Sequence, residues 1–238
     1  MWGRPPRLEL DELIDAKGHD ADELADSLRQ VAWVDRLLGG ERGVRGALTR
    51  IGVGASTRNG PERARTLLDV GAGNGRVVER LARWVGDASG EPPRVIALDQ
   101  HPEIVAVGAR ERPHLAWVRA DGTRLPLRDA SVDLSICVLT LHHLDREGAI
   151  ALLRELARVT RTAVLVSDLE RSRLHWIGAR LLAATVWRGN RLTREDGPTS
   201  VLRAWTADEL RALLAEAGMP GADVRRHLPW RLVACARP

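Results

Sequence analysis

Two histidines, His142 and His143, stand side by side just beyond the apolar run Val132–Leu139. Imidazole is the side chain best suited to taking a proton near neutral pH. Neighbouring side chains after a strand point in different directions. One of the pair would then face a pocket and serve as a base, or either would merely orient the loop by hydrogen bonding. No third ligand is spaced to join them, so no metal site is expected.

A second chemical feature lies upstream, in Asp69-Val70-Gly71-Ala72-Gly73-Asn74-Gly75. Glycines at alternate positions let a ligand approach the backbone closely, because no Cβ intervenes. The dinucleotide fingerprint G-x-G-x-x-G wants its third glycine where Arg76 stands. Asp69 also sets a carboxylate where a pyrophosphate would have to approach. Electrostatics therefore disfavours a dianionic linker and suits a ligand with a cationic group.

The elements that must position these residues are set by periodicity. Apolar spacing predicts helices within residues 8–51, one capped at Asp20 and ended by Gly39-Gly40, the next over Glu41–Arg50. Ala55 to Gly60 and Pro61 read as a linker. From Arg65 onward βα repeats begin, with strands at Thr66–Val70, Arg94–Leu98, Leu115–Val118, Val132–Leu139 and Ala163–Val166. The helices read as Asn74–Trp84, Pro102–Arg110, a segment capped by Asp145 through Val159, Ser172–Trp187, and one opened by the Thr206–Glu209 capping box. Arg188–Pro198 reads as an arginine-rich loop, and two short strands near Asp223–Arg226 and Arg231–Ala236 close the chain as a hairpin. The expected fold is α/β: a Rossmann-like, doubly wound, seven-stranded sheet, mostly parallel, with an antiparallel C-terminal hairpin strand. Residues 1–60 would form an N-terminal helical lid or flank, and 61–238 the main domain.

Composition bounds the function. The 238 residues are 44% hydrophobic and 29% charged, as in globular rather than disordered chains. A net charge of +4, with arginines scattered singly, gives no nucleic-acid arm. Lys17 is the sole lysine, and Phe and Tyr are absent while Trp numbers eight, which fits either a GC-rich gene or engineering. Cys137 and Cys235 lie far apart in apolar runs and read as buried reduced thiols, consistent with a cytoplasmic protein. The start Met1–Arg7 lacks a following apolar segment, so no signal peptide is expected. The longest apolar stretch, Ile177–Trp187, is too short to span a bilayer.

The glycine turn and the motifs downstream of it, taken in order, resemble the class I S-adenosylmethionine-dependent methyltransferases. Asp69–Gly75 takes the form of their first motif; Asp99 ends the second strand, and Ala120-Asp121-Gly122 with Leu125-Pro126 comes after the third. Ser131–Leu134 then leads to Leu141-His142-His143-Leu144, as in the ubiquinone/menaquinone-type branch. The resemblance implies S-adenosyl-L-methionine as cofactor, held by Asp69, Gly71, Gly73, Asn74, Gly75, Asp99, Gln100, Asp121, Gly122 and Val138. Asp99 would accept from both ribose hydroxyls and Asp121 from the adenine amino group, while Asp69 would lie near the methionine ammonium, directly or through water. The plainer alternatives are that Asp99 caps the next helix and that Asp121 is a turn residue.

Segments 19–40 and 191–206 are similar to methyltransferases that accompany bacterial type III polyketide synthases. That likeness implies a small phenolic, polyketide or quinol-like acceptor and O-methylation, with His142 or His143 as the candidate catalytic base and C-methylation as a variant. Arg191, Arg194 and Arg203 would stabilise a phenolate, and Trp33, Trp176, Trp187 and Trp205 would take the ring-stacking roles of Phe and Tyr. No Asn/Asp-Pro-Pro-aromatic tetrad comes after the fourth strand, which argues against amide or exocyclic-nitrogen methylation. Two other readings stay open: a cofactor-binding regulatory protein without turnover, and a nicotinamide-dependent oxidoreductase resting on the glycine turn alone.

Overall fold

The computed structural model describes residues 4–53 and 64–238. The expected linker at 55–61 lies outside them. After a short 3-10 turn at Leu13–Asp15 come α1 (Ala21–Leu37) and α2 (Gly40–Arg50). The remaining chain alternates β1 (Thr66–Val70), α3 (Arg76–Ser89), β2 (Arg94–Asp99), α4 (Pro102–Glu111), β3 (Ala116–Arg119), β4 (Val132–Val138), α5 (Arg146–Val159) and β5 (Thr160–Leu169). It closes with α6 (Arg173–Ala184), α7 (Arg191–Arg203), α8 (Ala207–Glu216), β6 (Asp223–His227) and β7 (Arg231–Ala236).

The strands form one sheet in the order β3-β2-β1-β4-β5-β7-β6. The first five run parallel, and β7 pairs antiparallel with both β5 and β6. This is the expected Rossmann-like, seven-stranded arrangement. Strand order reverses where β1 lies between β2 and β4, and the crevice beyond the carboxyl ends of those strands is where open α/β sheets bind ligands.

Apolar residues cover both sheet faces. On one, α5 and α8 bury Leu152, Leu156, Leu210 and Leu213 with Leu68 and Val164. On the other, α3 and α2 bury Leu81, Val85, Val44 and Leu48 with Leu67, Leu134 and Leu165. Helix α2 is thus part of the sheet's own covering. Helix α1 reaches the other way, burying Leu24, Ala25 and Leu28 against Ile104 and Val107 of α4 and Leu192 of α7. Cys137 and Cys235 are both buried free thiols.

The expected loop Arg188–Pro198 is largely helix. Asn190 caps α7 by accepting the Thr193 N–H at 3.2 Å, and Pro198 lies inside the helix. The many arginines and the Gly197-Pro198 pair mask a helix that tertiary contacts stabilise: its buried residues include Leu192, Val201 and Arg203. Residues 8–12, expected within a helical region, have no regular structure before the turn at Leu13. Strand β5 is also longer than expected, because Thr160–Thr162 and Ser167–Leu169 extend its apolar centre.

The segment before α1 is strapped across the sheet's carboxyl edge. The Asp196 carboxylate accepts the Leu13 and Ile14 N–H groups at 2.7 and 2.9 Å. Arg7 lies over the Trp205 ring at 3.8 Å, and His101 Nε2 meets the Ala16 carbonyl at 2.7 Å.

Candidate functional site

The turn after β1 is pinned to β2: the Gly71 and Ala72 N–H groups both donate to the Leu98 carbonyl, at 2.9 and 3.0 Å. Gly71, Gly73 and Gly75 have φ of +76°, +55° and +73°, a backbone region that L side chains rarely adopt. A Cβ on Gly71 would collide with the Thr140 side chain, and one on Gly75 would press on Leu115 and Trp117. Gly75 is therefore a packing glycine at the start of α3. Gly71, Gly73 and Asn74 line a cavity of about 270 Å³, and Gly75 does not.

Asp99 also lines that cavity, at the end of β2. It accepts the Gly73 N–H at 3.2 Å on one oxygen and the His101 N–H at 3.0 Å on the other. Each oxygen keeps a lone pair for a ligand donor. Asp69 is buried behind the turn rather than on the cavity surface, and its Oδ1 has no hydrogen-bond partner. Burial, with the Asp99 charge nearby, pushes its pKa up to about 8. Burial likewise raises the Asp99 carboxyl. A ligand bringing positive charge would favour the ionised form of both carboxyls, and Asp99 can also accept from hydroxyl donors.

Gln100, Asp121, Gly122 and Val138 complete this half of the cavity. Asp121 Oδ1 accepts both the N–H and the hydroxyl of Thr123 at 2.8 Å, so it is a turn residue as well as a cavity residue. Gly122 lets Val70 and Leu152 pack against the backbone, since a Cβ there would lie 2.8 Å from Val70 Cγ1. All ten residues expected to hold a cofactor lie at the sheet's carboxyl edge, and eight of them line the cavity.

The other half holds both histidines. His142 is buried in the 3-10 turn Leu141–His143, with Nδ1 2.6 Å from Asp168 Oδ1. His143 Nδ1 lies 3.1 Å from Asp15 Oδ2. The Nε2 atoms converge on Glu12, at 3.9 Å for His142 and 3.8 Å for His143. Burial alone would lower the His143 pKa, but the Glu12 and Asp15 carboxylates outweigh it and push it up to about 9. His142 and His143 therefore differ: His142 is hydrogen-bonded to the buried Asp168, and His143 is a cation at neutral pH.

Glu12 also corrects the expectation that no third donor joins the histidines. Its carboxylate, His142 and His143 offer ligand atoms all within 4.8 Å of one another. The signal was absent locally, because Glu12 arrives from more than a hundred residues away through the N-terminal strap. Arg203 Nε lies 3.3 Å from Glu12 Oε1, so the carboxylate already faces a fixed cation.

The walls of this half are mainly apolar, from α1 through Leu28, Val31 and Val34 and from α6 through Ala179 and Leu182. Of the tryptophans expected here, only Trp187 lines the cavity, and Trp230 joins it. Trp33 is half exposed, Trp205 is buried beneath with its N–H on the Leu141 carbonyl, and Trp176 packs against the Leu169 and Val201 cluster. Trp230 has φ +63° and stacks on His175 with ring centroids 5.2 Å apart. Leu139, another cavity residue, has φ +54°. Strained backbone of this kind collects at binding sites.

The arginine expectations also change. Arg191 pairs with Glu23 and Arg194 with Glu195, both away from the cavity. Arg203 ties the His142, His143 and Leu10 carbonyls together behind the site. The arginine that does line the cavity is Arg231, 3.0 Å from the buried Asp35 carboxylate.

Residues 67–163, which contain the glycine turn, Asp99, Asp121 and both histidines, match the family described as methyltransferase domain. Over this stretch the chain resembles a methyltransferase domain. It is 38% identical over 103 residues to a demethylmenaquinone methyltransferase of Beutenbergia cavernae, covering 42% of this chain and 42% of that protein. The chain spans less than half the length of the curated relatives it matches. Over the whole fold, a SAM-dependent methyltransferase from Aquifex aeolicus superposes with a TM-score of 0.57 at 19% identity, covering 92% of this chain and 98% of that one. Human N-acetylserotonin methyltransferase, solved in complex with SAM, gives 0.60 at 16% identity, covering 92% of this chain and 56% of that one. At these identities the two structures speak to the fold, which is that of the methyltransferases throughout.

Proposed function

We propose that this protein is an S-adenosylmethionine-dependent methyltransferase that methylates an oxygen of a small phenolic, polyketide or quinol-like acceptor. One observation carries the reading: the Asp99 carboxylate with its glycine turn, and His142, held from behind by Asp168, line the same mainly apolar cavity. The residues fit the cofactor. Asp99 keeps acceptor capacity for two ribose hydroxyls, Asp121 and Gly122 suit the adenine edge, and buried Asp69 would gain from a nearby ammonium. When bound, S-adenosylmethionine supplies a methyl group on a positively charged sulfur.

The chain's own residues then have distinct tasks. With its Nδ1–H donated to Asp168, His142 presents Nε2 as the proton acceptor for an acceptor hydroxyl. His143, charged at neutral pH, stabilises the oxyanion that results. Glu12 balances both rings and is held by Ser200, whose hydroxyl donates to Glu12 Oε2 at 2.7 Å. The apolar walls from α1 and α6 exclude water and hold the acceptor oxygen in line with the transferring carbon.

Calorimetry with S-adenosylhomocysteine, followed by mass spectrometry of reactions with a phenol and quinol library, tests the proposal. Binding, and products heavier by one methylene unit, are expected. No binding overturns the cofactor assignment. Binding with no turnover across the library favours a cofactor-binding regulatory protein instead.

A further inference from the structure

Helix α6 is apolar on two opposite faces. Its inner residues His175, Ala179 and Ala183 are buried. Its outer residues Leu174, Ile177 and Leu181 are 71%, 41% and 63% exposed, at the i, i+3, i+7 spacing of a continuous stripe. A helix that is apolar on both sides is normally covered on both.

The stripe continues onto the β6–β7 turn. Trp230 stacks on His175 and lies close to Gly178, which brings the turn against the first half of α6. At its tip Leu228 is 84% exposed, the most exposed large apolar side chain among the described residues. Contiguous exposed apolar surface of this kind marks a contact site.

The segment that carries the stripe is basic, and the acids that bound it are Glu170, paired with Arg226 at 2.7 Å, and Glu195. From Arg171 to Arg194 the chain carries six arginines and no Asp or Glu. Arg171 is buried against Glu209, and Arg191 and Arg194 pair with Glu23 and Glu195. Arg180 on α6 and Arg188 just beyond its end are exposed. Leucines flanked by arginines, in a stretch that carries no acidic residue, match the interfacial helices that lie in an anionic lipid surface.

A second copy of the chain fits this face less well. A stable protein interface takes on the order of 800 Å² from each partner, more than four side chains on one helix and a turn tip supply. A two-fold contact would also set these arginines against their own copies.

We propose that α6 and the β6–β7 turn dock this protein peripherally on an anionic bilayer. Leu174, Ile177, Leu181 and Leu228 enter the acyl boundary, and Arg180 and Arg188 meet the headgroups. The inner face of the same helix, through Ala179 and Leu182, walls the cavity. Docking therefore sets the acceptor side of the cavity beside the lipid, a source of lipophilic acceptor; this last step rests on the methyltransferase reading.

Co-sedimentation of the full chain with phosphatidylglycerol/phosphatidylcholine vesicles, and with phosphatidylcholine alone, tests the docking. The wild type is expected to bind the anionic vesicles and to be released by high salt. Leu174→Glu with Leu181→Glu should weaken binding by at least about tenfold, and Arg180→Gln with Arg188→Gln should abolish the preference for anionic lipid. Wild-type protein that stays in solution, or variants that bind as it does, overturns the proposal. So does a dimer seen by light scattering that the leucine variants dissociate in the absence of vesicle binding, because the face is then a self-interface. S-adenosylhomocysteine calorimetry on the same proteins reads the methyltransferase assignment separately: vesicle binding without it leaves the docking and removes the acceptor consequence.

Discussion

His142 Nδ1 lies 2.6 Å from Asp168 Oδ1, and the other Asp168 oxygen accepts the His142 backbone N–H at 3.1 Å. One buried carboxylate thus fixes both the tautomer and the position of the ring. Asp168→Asn presents an amide N–H to Nδ1 and turns the ring's acceptor nitrogen away from the acceptor hydroxyl. Methyl transfer should fall by about 10²–10⁴-fold in kcat, with S-adenosylhomocysteine affinity unchanged. The pH profile identifies Asp168 as a positioning residue: the acidic limb of kcat/KM should shift in the variant, which a purely structural loss would not produce.

Asp99 offers charged acceptors to two hydroxyls from a fixed position. Hydrogen bonds to charged groups contribute about 1.5–3 kcal/mol each, so Asp99→Ala should weaken S-adenosylhomocysteine binding by at least about 100-fold in calorimetry. Unaltered affinity would remove Asp99 from the cofactor site.

Gly71 combines φ +76° with a Cβ position occupied by Thr140. A non-glycine residue in this region costs about 1–2 kcal/mol before any clash. Gly71→Ala should lower the urea midpoint correspondingly and weaken cofactor binding. Adding Thr140→Gly, which removes the Cβ 2.7 Å away as well as the hydroxyl and methyl, should recover the steric part and leave the backbone part.

His143 titrates at about 9 because Glu12 and Asp15 outweigh its burial, with Arg203 opposing them. Its folded pKa lies above the ordinary value of about 6.5, so the stabilisation it provides is complete below about pH 6.5 and is lost as pH rises through about 9. Urea midpoints of the wild type should fall across that window more steeply than those of His143→Gln. Parallel curves would refute the raised pKa.

Asp69, pushed up to about 8, holds a proton in the free protein at neutral pH. A cationic ligand group nearby favours its ionised form, so cofactor binding at pH 7 should release a proton. Calorimetric enthalpies should then depend on the buffer's own ionisation enthalpy at pH 7, lose that dependence at about pH 9, and show none in Asp69→Asn.

The half of the cavity around the glycine turn was legible because its residues are local. A strand, a turn with alternate glycines and an acid at the next strand's end are each read within a few positions, and β1, β2 and β4 fall within a residue of their expected bounds. The acceptor half was not legible in the same way. Glu12 and Asp15 come from the N-terminal strap, Asp168 from β5 and Arg231 from β7, and no spacing rule links residue 12 to residue 142. Helix α7 was missed because its arginines, glycine and proline argue for a loop, while its burial against α1 and the strap decides otherwise. Asp69 and Gly75 carry the family pattern, yet they act from behind the cavity wall and through packing on Trp117.

Trp187 and Trp230 stand in the cavity wall of a chain with no tyrosine and no phenylalanine. All of its near-ultraviolet emission therefore comes from indole, and two of the eight emitters border the acceptor's place. The protein carries its own optical reporter, so a ring entering the cavity can be followed by quenching, without a label and before any product forms.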